Sequence, residues 1–80
     1  MKHLQHTIKA VITDGDEYGY VGSCFGLPVV TQGSTLDEVV NNLKEAIELH
    51  LEGENLTEMG YAHNPSIIIT YELAPGYAKA

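Results

Sequence analysis

The sequence has no tryptophan, only one cysteine and few cationic side chains. Because Cys24 stands alone, no disulfide can form within the chain. Four cationic residues, all of them lysine, stand against 11 acidic ones, so the formal net charge is −7. A protein that binds nucleic acid directly replaces phosphate counterions with its own cations, which this chain lacks. The composition therefore argues against direct nucleic-acid binding and suits a basic protein partner.

The chain also lacks a long apolar run. No segment approaches the ~20 apolar residues of a membrane span, and residues 1–6 are not followed by the apolar stretch of a signal peptide. Hydrophobic residues make up 44% of the sequence and charged residues 19%, which is the balance of a folded chain. These observations predict a single cytoplasmic domain over residues 1–80, too small for a second core and helped by burial in an oligomer.

The strongest local pattern is an amphipathic helix between residues 35 and 52. Thr35 and Glu38 have the spacing of a capping box, and Gly53 is a typical helix stop. At ~100° per residue, one arc of about 140° collects nearly all the apolar side chains, and Leu49 falls on the opposite side. The arc contains Leu36, Val39, Val40, Leu43, Ala46, Ile47 and Leu51. A helix with one apolar stripe needs a sheet to cover, which predicts a two-layer α+β domain.

Four segments have the composition of β-strands. Alternating or β-branched residues predict strands at 8–13, 18–25, 29–32 and 66–73, with turn residues between them. The first three strands form an antiparallel meander, and a right-handed crossover through the helix returns the fourth strand parallel to the first. The predicted fold is therefore β-β-β-α-β, with the sheet order 3-2-1-4 and the helix on one face.

Residues 20–47 combine a tyrosine-containing strand, a break, a cap and a helix in a distinctive order. In these residues the chain resembles the HicB-like antitoxin family, whose pattern is Cys-Pro-acidic-Leu-Pro-Gly-Cys, Thr-Gln-Gly, a capping residue, and Thr-Leu-Glu-Glu-Ala at the start of an amphipathic helix. The matching residues are Cys24, Leu27, Pro28, Thr31, Gln32, Gly33, Thr35, Leu36, Glu38, Glu45, Ala46 and Ile47. The chain departs from the pattern at Phe25, Gly26, Val29, Val30 and Val39.

The resemblance implies both a fold and a function. The N-terminal domain of this family is a βββαβ unit described as a partial RNase H fold. Its members typically bind the small basic toxin HicA, an mRNA interferase, and cover its catalytic histidine. Full-length members usually add a C-terminal DNA-binding module, whereas this sequence ends seven residues after its last predicted strand. The resemblance thus implies an antitoxin that neutralises a HicA-like toxin without catalysis, a cofactor or a DNA-binding domain of its own.

Two other classes of function remain open at this stage. An RNase H-like fold raises the possibility of a two-metal nuclease, which needs carboxylates in the strand centres to hold metals ~4 Å apart. Residues 8–13 contain no acid, and Asp14 lies in the predicted turn. The four histidines lack the spacing of metal ligands. The other alternative is an orphan oligomeric binding module. The sequence predicts no catalytic, metal-binding or cofactor-binding residue.

Two acidic segments are candidates for binding a basic partner. One is the turn after the first strand, and the other is the outer face of the helix. The candidate residues are Asp14, Asp16, Glu17 and Tyr18 in the turn, and Glu45, Glu48 and Glu52 on the helix.

The last strand predicts self-association into a dimer or tetramer. Alternation sends Ile67 and Ile69 to one face of the sheet and Ile68 to the other, yet only one helix exists to cover a face. The strand also lies at an edge, without lysine or proline between Ser66 and Leu73 to block pairing. Ile67, Ile68 and Ile69 are therefore the candidate oligomer contacts.

Overall fold

The computed structural model describes residues 3–15 and 18–73, which form one four-stranded sheet and one helix. The elements are β1 (Gln5–Asp14), β2 (Tyr20–Cys24), β3 (Val30–Gly33), α1 (Leu36–Leu51) and β4 (Tyr61–Tyr71). The strand order is β3-β2-β1-β4. β2 pairs antiparallel with both β1 and β3, and β4 pairs parallel with β1. The α+β fold and the sheet order 3-2-1-4 are confirmed.

The fourth strand begins earlier than the sequence predicts. It starts at Tyr61 instead of Ser66 and contains Pro65. Tyr61 lies opposite Gln5 and Ser66 opposite Thr7, so β4 uses five residues where β1 uses two. A proline is tolerated at such an irregularity on an edge strand, because its missing N–H interrupts no regular ladder. The range Ser66 to Leu73 contains no lysine or proline, as stated above, but the strand also includes Pro65 before that range.

The core lies between α1 and the inner face of the sheet. Val39, Leu43 and Ile47 are fully buried, and they belong to one cluster with the inward-facing residues of β1. Those β1 residues are Ile8, Ala10 and Ile12. Successive buried residues on α1 are four apart, so they form one line along the helix.

The buried apolar stripe of the helix is slightly shorter than predicted. Leu36 is 37% exposed, so the buried line begins at Val39, one turn inside the helix. Leu49 is 64% exposed, as the helical wheel predicts for a residue opposite the arc. Val40, Ala46 and Leu51 are partly buried and pack against the cluster. Within the described residues, no helix is long and apolar enough to cross a membrane.

The helix begins at the predicted cap. The Thr35 Oγ1 accepts a hydrogen bond from the Glu38 N–H at 3.1 Å, and the Ser34 N–H donates to the Glu38 Oε1 at 2.6 Å. In a capping box the Glu38 side chain would accept a hydrogen bond from the N–H of the cap, Thr35. Here it accepts the hydrogen bond from the N–H of Ser34, the residue before the cap. At the other end Gly53 has φ +77°, the left-handed conformation typical of a helix stop.

Replacing Thr35 with alanine is expected to lower the free energy of unfolding by about 0.5–2 kcal/mol, because the Glu38 N–H loses its partner at the helix end. Thr35→Ser is the matched control, since it keeps the accepting hydroxyl and should stay close to the wild-type stability. Urea unfolding followed by circular dichroism measures both. An alanine variant as stable as the serine variant would show that this cap contributes nothing.

Candidate partner-binding surfaces

The predicted partner-binding residues do not form a single surface. Asp14 and Tyr18 line a concavity beside the β1–β2 turn, together with Glu38 at the start of α1. The three predicted residues of the helix, Glu45, Glu48 and Glu52, line a second concavity near the end of α1. The first concavity reaches α1 only at Glu38 and the second begins at Glu45, so at ~1.5 Å per residue they are about 10 Å apart along the helix. The other two predicted turn residues, Asp16 and Glu17, lie outside the described residues.

Asp14 forms a hydrogen bond within the domain. Its Oδ1 accepts a hydrogen bond from the Tyr71 hydroxyl at 2.7 Å, which ties the end of β1 to the end of β4. The rings of Tyr71 and Tyr20 meet edge to face with centroids 5.7 Å apart. The hydrogen bond to Asp14, then desolvation and the nearby charge, raise the pKa of Tyr71 to about 12. Asp14 therefore has a structural role, and of the described turn residues Tyr18, 82% exposed, is the freer to meet a partner.

The second concavity combines acidic and apolar side chains. Glu45, Glu48 and Glu52 succeed one another at intervals of three and four residues, so they share one side of α1. Leu49, 64% exposed, lies among them. The rest of the lining comes from Leu51, Leu56, Asn64 and Pro65. We call this surface, defined by all eight residues, the acidic groove.

The acidic groove depends on the unexpected early part of β4. Asn64 has φ +56°, a left-handed conformation that asparagine tolerates better than most residues. With Pro65, it forms the irregular stretch where β4 bulges relative to β1, and both residues line the groove beside the helix. The spacing of the three glutamates is visible in the sequence, whereas this opposite wall is not, because residues 61–65 have the composition of a loop.

β3 contacts the helix through residues 31–33. These residues carry much of the family resemblance. The Asn42 Nδ2 donates a hydrogen bond to the Gln32 carbonyl oxygen at 2.9 Å. A Cβ atom on Gly33 would lie 2.6 Å from the Val39 nitrogen, closer than any side chain can approach. Only glycine fits at this contact, so the Thr-Gln-Gly segment has a packing role in this chain.

Cys24 is a packed residue of β2. Its side chain lies against the core, and its Sγ donates a weak hydrogen bond to the Phe25 carbonyl oxygen at 3.6 Å. Burial raises the pKa of the Cys24 thiol, which keeps it in the neutral and less nucleophilic form. Among residues 3–15 and 18–73, no three His, Cys, Asp or Glu side chains are grouped so that they could hold a metal ion.

The three predicted oligomer contacts lie on different faces. Ile67 and Ile69 are directed toward the helix and pack against the core cluster. Ile68, which lies opposite Lys9, is on the other face and is 50% exposed. Of the three isoleucines, Ile68 alone therefore belongs to the uncovered surface of the sheet.

Comparison with protein-family models, with curated proteins and with solved structures finds no match for this chain.

Proposed function

We propose that this chain is a HicB-like antitoxin domain with a partial RNase H-like fold. It acts in the cytoplasm by binding a basic HicA-like mRNA interferase and masking its active surface, with no catalysis of its own. The β-β-β-α-β order of the elements, which the resemblance implies, supports this proposal. The main support for the proposal is the acidic groove, because this surface offers both charge and apolar contact to a basic protein.

The acidic groove suits a partner segment that has cationic side chains around an apolar one. Carboxylates of Glu45, Glu48 and Glu52 can accept charge-assisted hydrogen bonds from lysine or arginine. Leu49 supplies an apolar contact in the middle, as expected of an interface with an apolar centre and a polar rim. The net charge of −7 adds long-range attraction for a basic toxin, which mainly raises the association rate.

The first test asks whether a neighbouring gene encodes a small basic HicA-like protein and measures the binding of that protein to this chain, with the two proteins mixed in purified form. The association rate should fall as salt is raised, because the Debye length shortens to ~8 Å at physiological ionic strength. The double variant Glu48→Lys, Glu52→Lys should weaken binding by roughly tenfold or more, because it removes attraction and adds repulsion at the groove.

The matched control is the double variant Asp37→Lys, Glu58→Lys. It changes the net charge by the same amount, but neither residue lines the acidic groove. The control variant should bind only modestly more weakly than the wild type, because it loses long-range attraction alone. Equal losses in both variants would mean that the groove makes no specific contact. The absence of a neighbouring gene for a small basic protein would favour the orphan binding module instead.

A further inference from the structure

β4 is the terminal strand of the sheet, and half of its backbone groups face away from β1. The Glu72 N–H donates to the Ile12 carbonyl oxygen at 2.8 Å. Backbone groups alternate between the two edges of a strand, so those of Ile67, Ile69 and Tyr71 face outward. In the part of the chain that the structure describes, no backbone group pairs with them. We call these outward N–H and C=O groups the β4 edge.

The opposite edge of the sheet, formed by β3, is shielded by the helix. The Cys24 N–H donates to the Val29 carbonyl oxygen at 3.1 Å, so the same alternation directs the backbone of Gln32 away from β2. The Gln32 carbonyl oxygen accepts its hydrogen bond from the Asn42 Nδ2 on the helix. At the next residue, Gly33 allows α1 to lie directly against β3. The helix thus protects the edge of β3, whereas the hydrogen bonds of the described residues give the β4 edge no such cover.

The acidic groove lies next to the β4 edge on the helix side of the sheet. α1 lies closer to β2 and β3 than to β4. Ile67 and Ile69 are therefore only half-buried, although their side chains are directed toward the helix. The groove lies in this gap, with its glutamates and Leu49 on the α1 wall and Asn64 and Pro65 on the β4 wall. Pro65 has no N–H to donate, so the β4 edge begins after it.

We propose that an extended segment of the basic partner protein adds to the sheet as a fifth strand at the β4 edge. The inference rests on the proposed function, because it names the shape of the segment that enters the acidic groove. The added strand would pair with the outward groups of β4. Every second side chain would point toward the groove, and the others would lie beside Ile68, which is 50% exposed on the other face. The segment therefore alternates cationic and apolar residues.

Charge favours a basic strand over a second copy of this chain at the β4 edge. A two-fold pairing of two β4 strands, with both helices on one face, would bring two acidic grooves toward each other. Each groove contains Glu45, Glu48 and Glu52, and each chain carries a charge of −7. Like charges brought together in this way oppose association. Cationic side chains meet the same carboxylates as donors of charge-assisted hydrogen bonds.

Amide hydrogen exchange of the purified full chain, followed by NMR, tests the proposal without any toxin. The probe is a synthetic peptide of about nine residues that alternates lysine and valine and is blocked at both ends. In the free chain, the outward amides of Ile67, Ile69 and Tyr71 should exchange faster than those of Ile68 and Thr70, which face β1. The peptide at about 1 mM should slow exchange of the three outward amides at least tenfold and leave the other two nearly unchanged. A peptide held by the groove side chains alone would not produce this alternation.

The matched control peptide has glutamate in place of every lysine. It keeps the same backbone donors and acceptors but is repelled by the acidic groove, so it should leave exchange of the outward amides unchanged. Unchanged exchange of these amides with the lysine peptide overturns the proposal. Equal slowing by both peptides also overturns it, because the groove would then play no part in choosing the strand.

A purified HicA-like protein separates this inference from the proposed function. If that protein binds in a way that Glu48→Lys, Glu52→Lys weakens, but leaves exchange of the outward amides unchanged, the proposed function stands and strand addition is wrong. If the lysine peptide protects the β4 edge but no HicA-like protein binds, the strand site stands for another basic protein and the proposed function is wrong.

Discussion

Replacing Leu43 with alanine should lower the free energy of unfolding by about 2–5 kcal/mol. Leu43 is fully buried at the centre of the α1 line, and its methyl groups lie over Gly22 of β2. Truncation removes apolar contact and leaves a cavity that the rigid strand below cannot fill. Such a loss is a large share of the 5–15 kcal/mol that stabilises a typical domain. Urea unfolding measured by circular dichroism gives the value.

Leu49→Ala is the control for this prediction. It makes the same chemical change on the same helix, but the side chain is 64% exposed, so the change should stay within ~0.5 kcal/mol. If Leu43→Ala cost as little as Leu49→Ala, α1 would not pack on the sheet through Leu43.

Replacing Gly33 with alanine should destabilise the domain by about 1–3 kcal/mol, the usual cost of overpacking a tight contact. The new Cβ would lie 2.6 Å from the Val39 nitrogen and 2.9 Å from its Cα. Both are backbone atoms of α1, so relief requires that the helix start move away from β3. The expected readouts are lower stability and a local change in amide chemical shifts around Val39.

Ser34→Ala is the matched control, one residue further along the chain. Ser34 is exposed and uses its backbone N–H, not its hydroxyl, to contact Glu38. The Ser34→Ala variant should lose little free energy of unfolding. Equal stability of Gly33→Ala and the wild type would contradict the close approach of β3 and α1.

The fold could be predicted because its main signals are local. The position of α1 follows from helical periodicity, the Thr35 cap and Gly53, all within about 20 residues. The sheet order follows from short connections and from the handedness of the crossover. The early start of β4 could not be predicted, because Pro65 and its polar neighbours are untypical of a strand. Residues 61–65 belong to β4 only because Tyr61 pairs with Gln5, a residue distant in sequence.

The candidate surfaces were predictable only in part. Glu45, Glu48 and Glu52 share a helix face by spacing alone, and the structure places them in one groove. The engagement of Asp14 by Tyr71 joins residues 57 positions apart, and no local pattern indicates it. Alternation alone assigns Ile68 to the sheet face opposite α1, whereas Val30 and Phe25 can be assigned to that face only once the strand registers are known.

The most direct test of the central proposal is neutralisation of the toxin. The assay uses a purified HicA-like protein that cleaves an RNA substrate, sought among the products of the neighbouring genes, and increasing amounts of this chain are added. We expect cleavage to stop near stoichiometric addition, with the Glu48→Lys, Glu52→Lys variant needing a clear excess and the Asp37→Lys, Glu58→Lys variant resembling the wild type. Undiminished RNA cleavage at a large excess of folded wild-type chain would contradict the proposal.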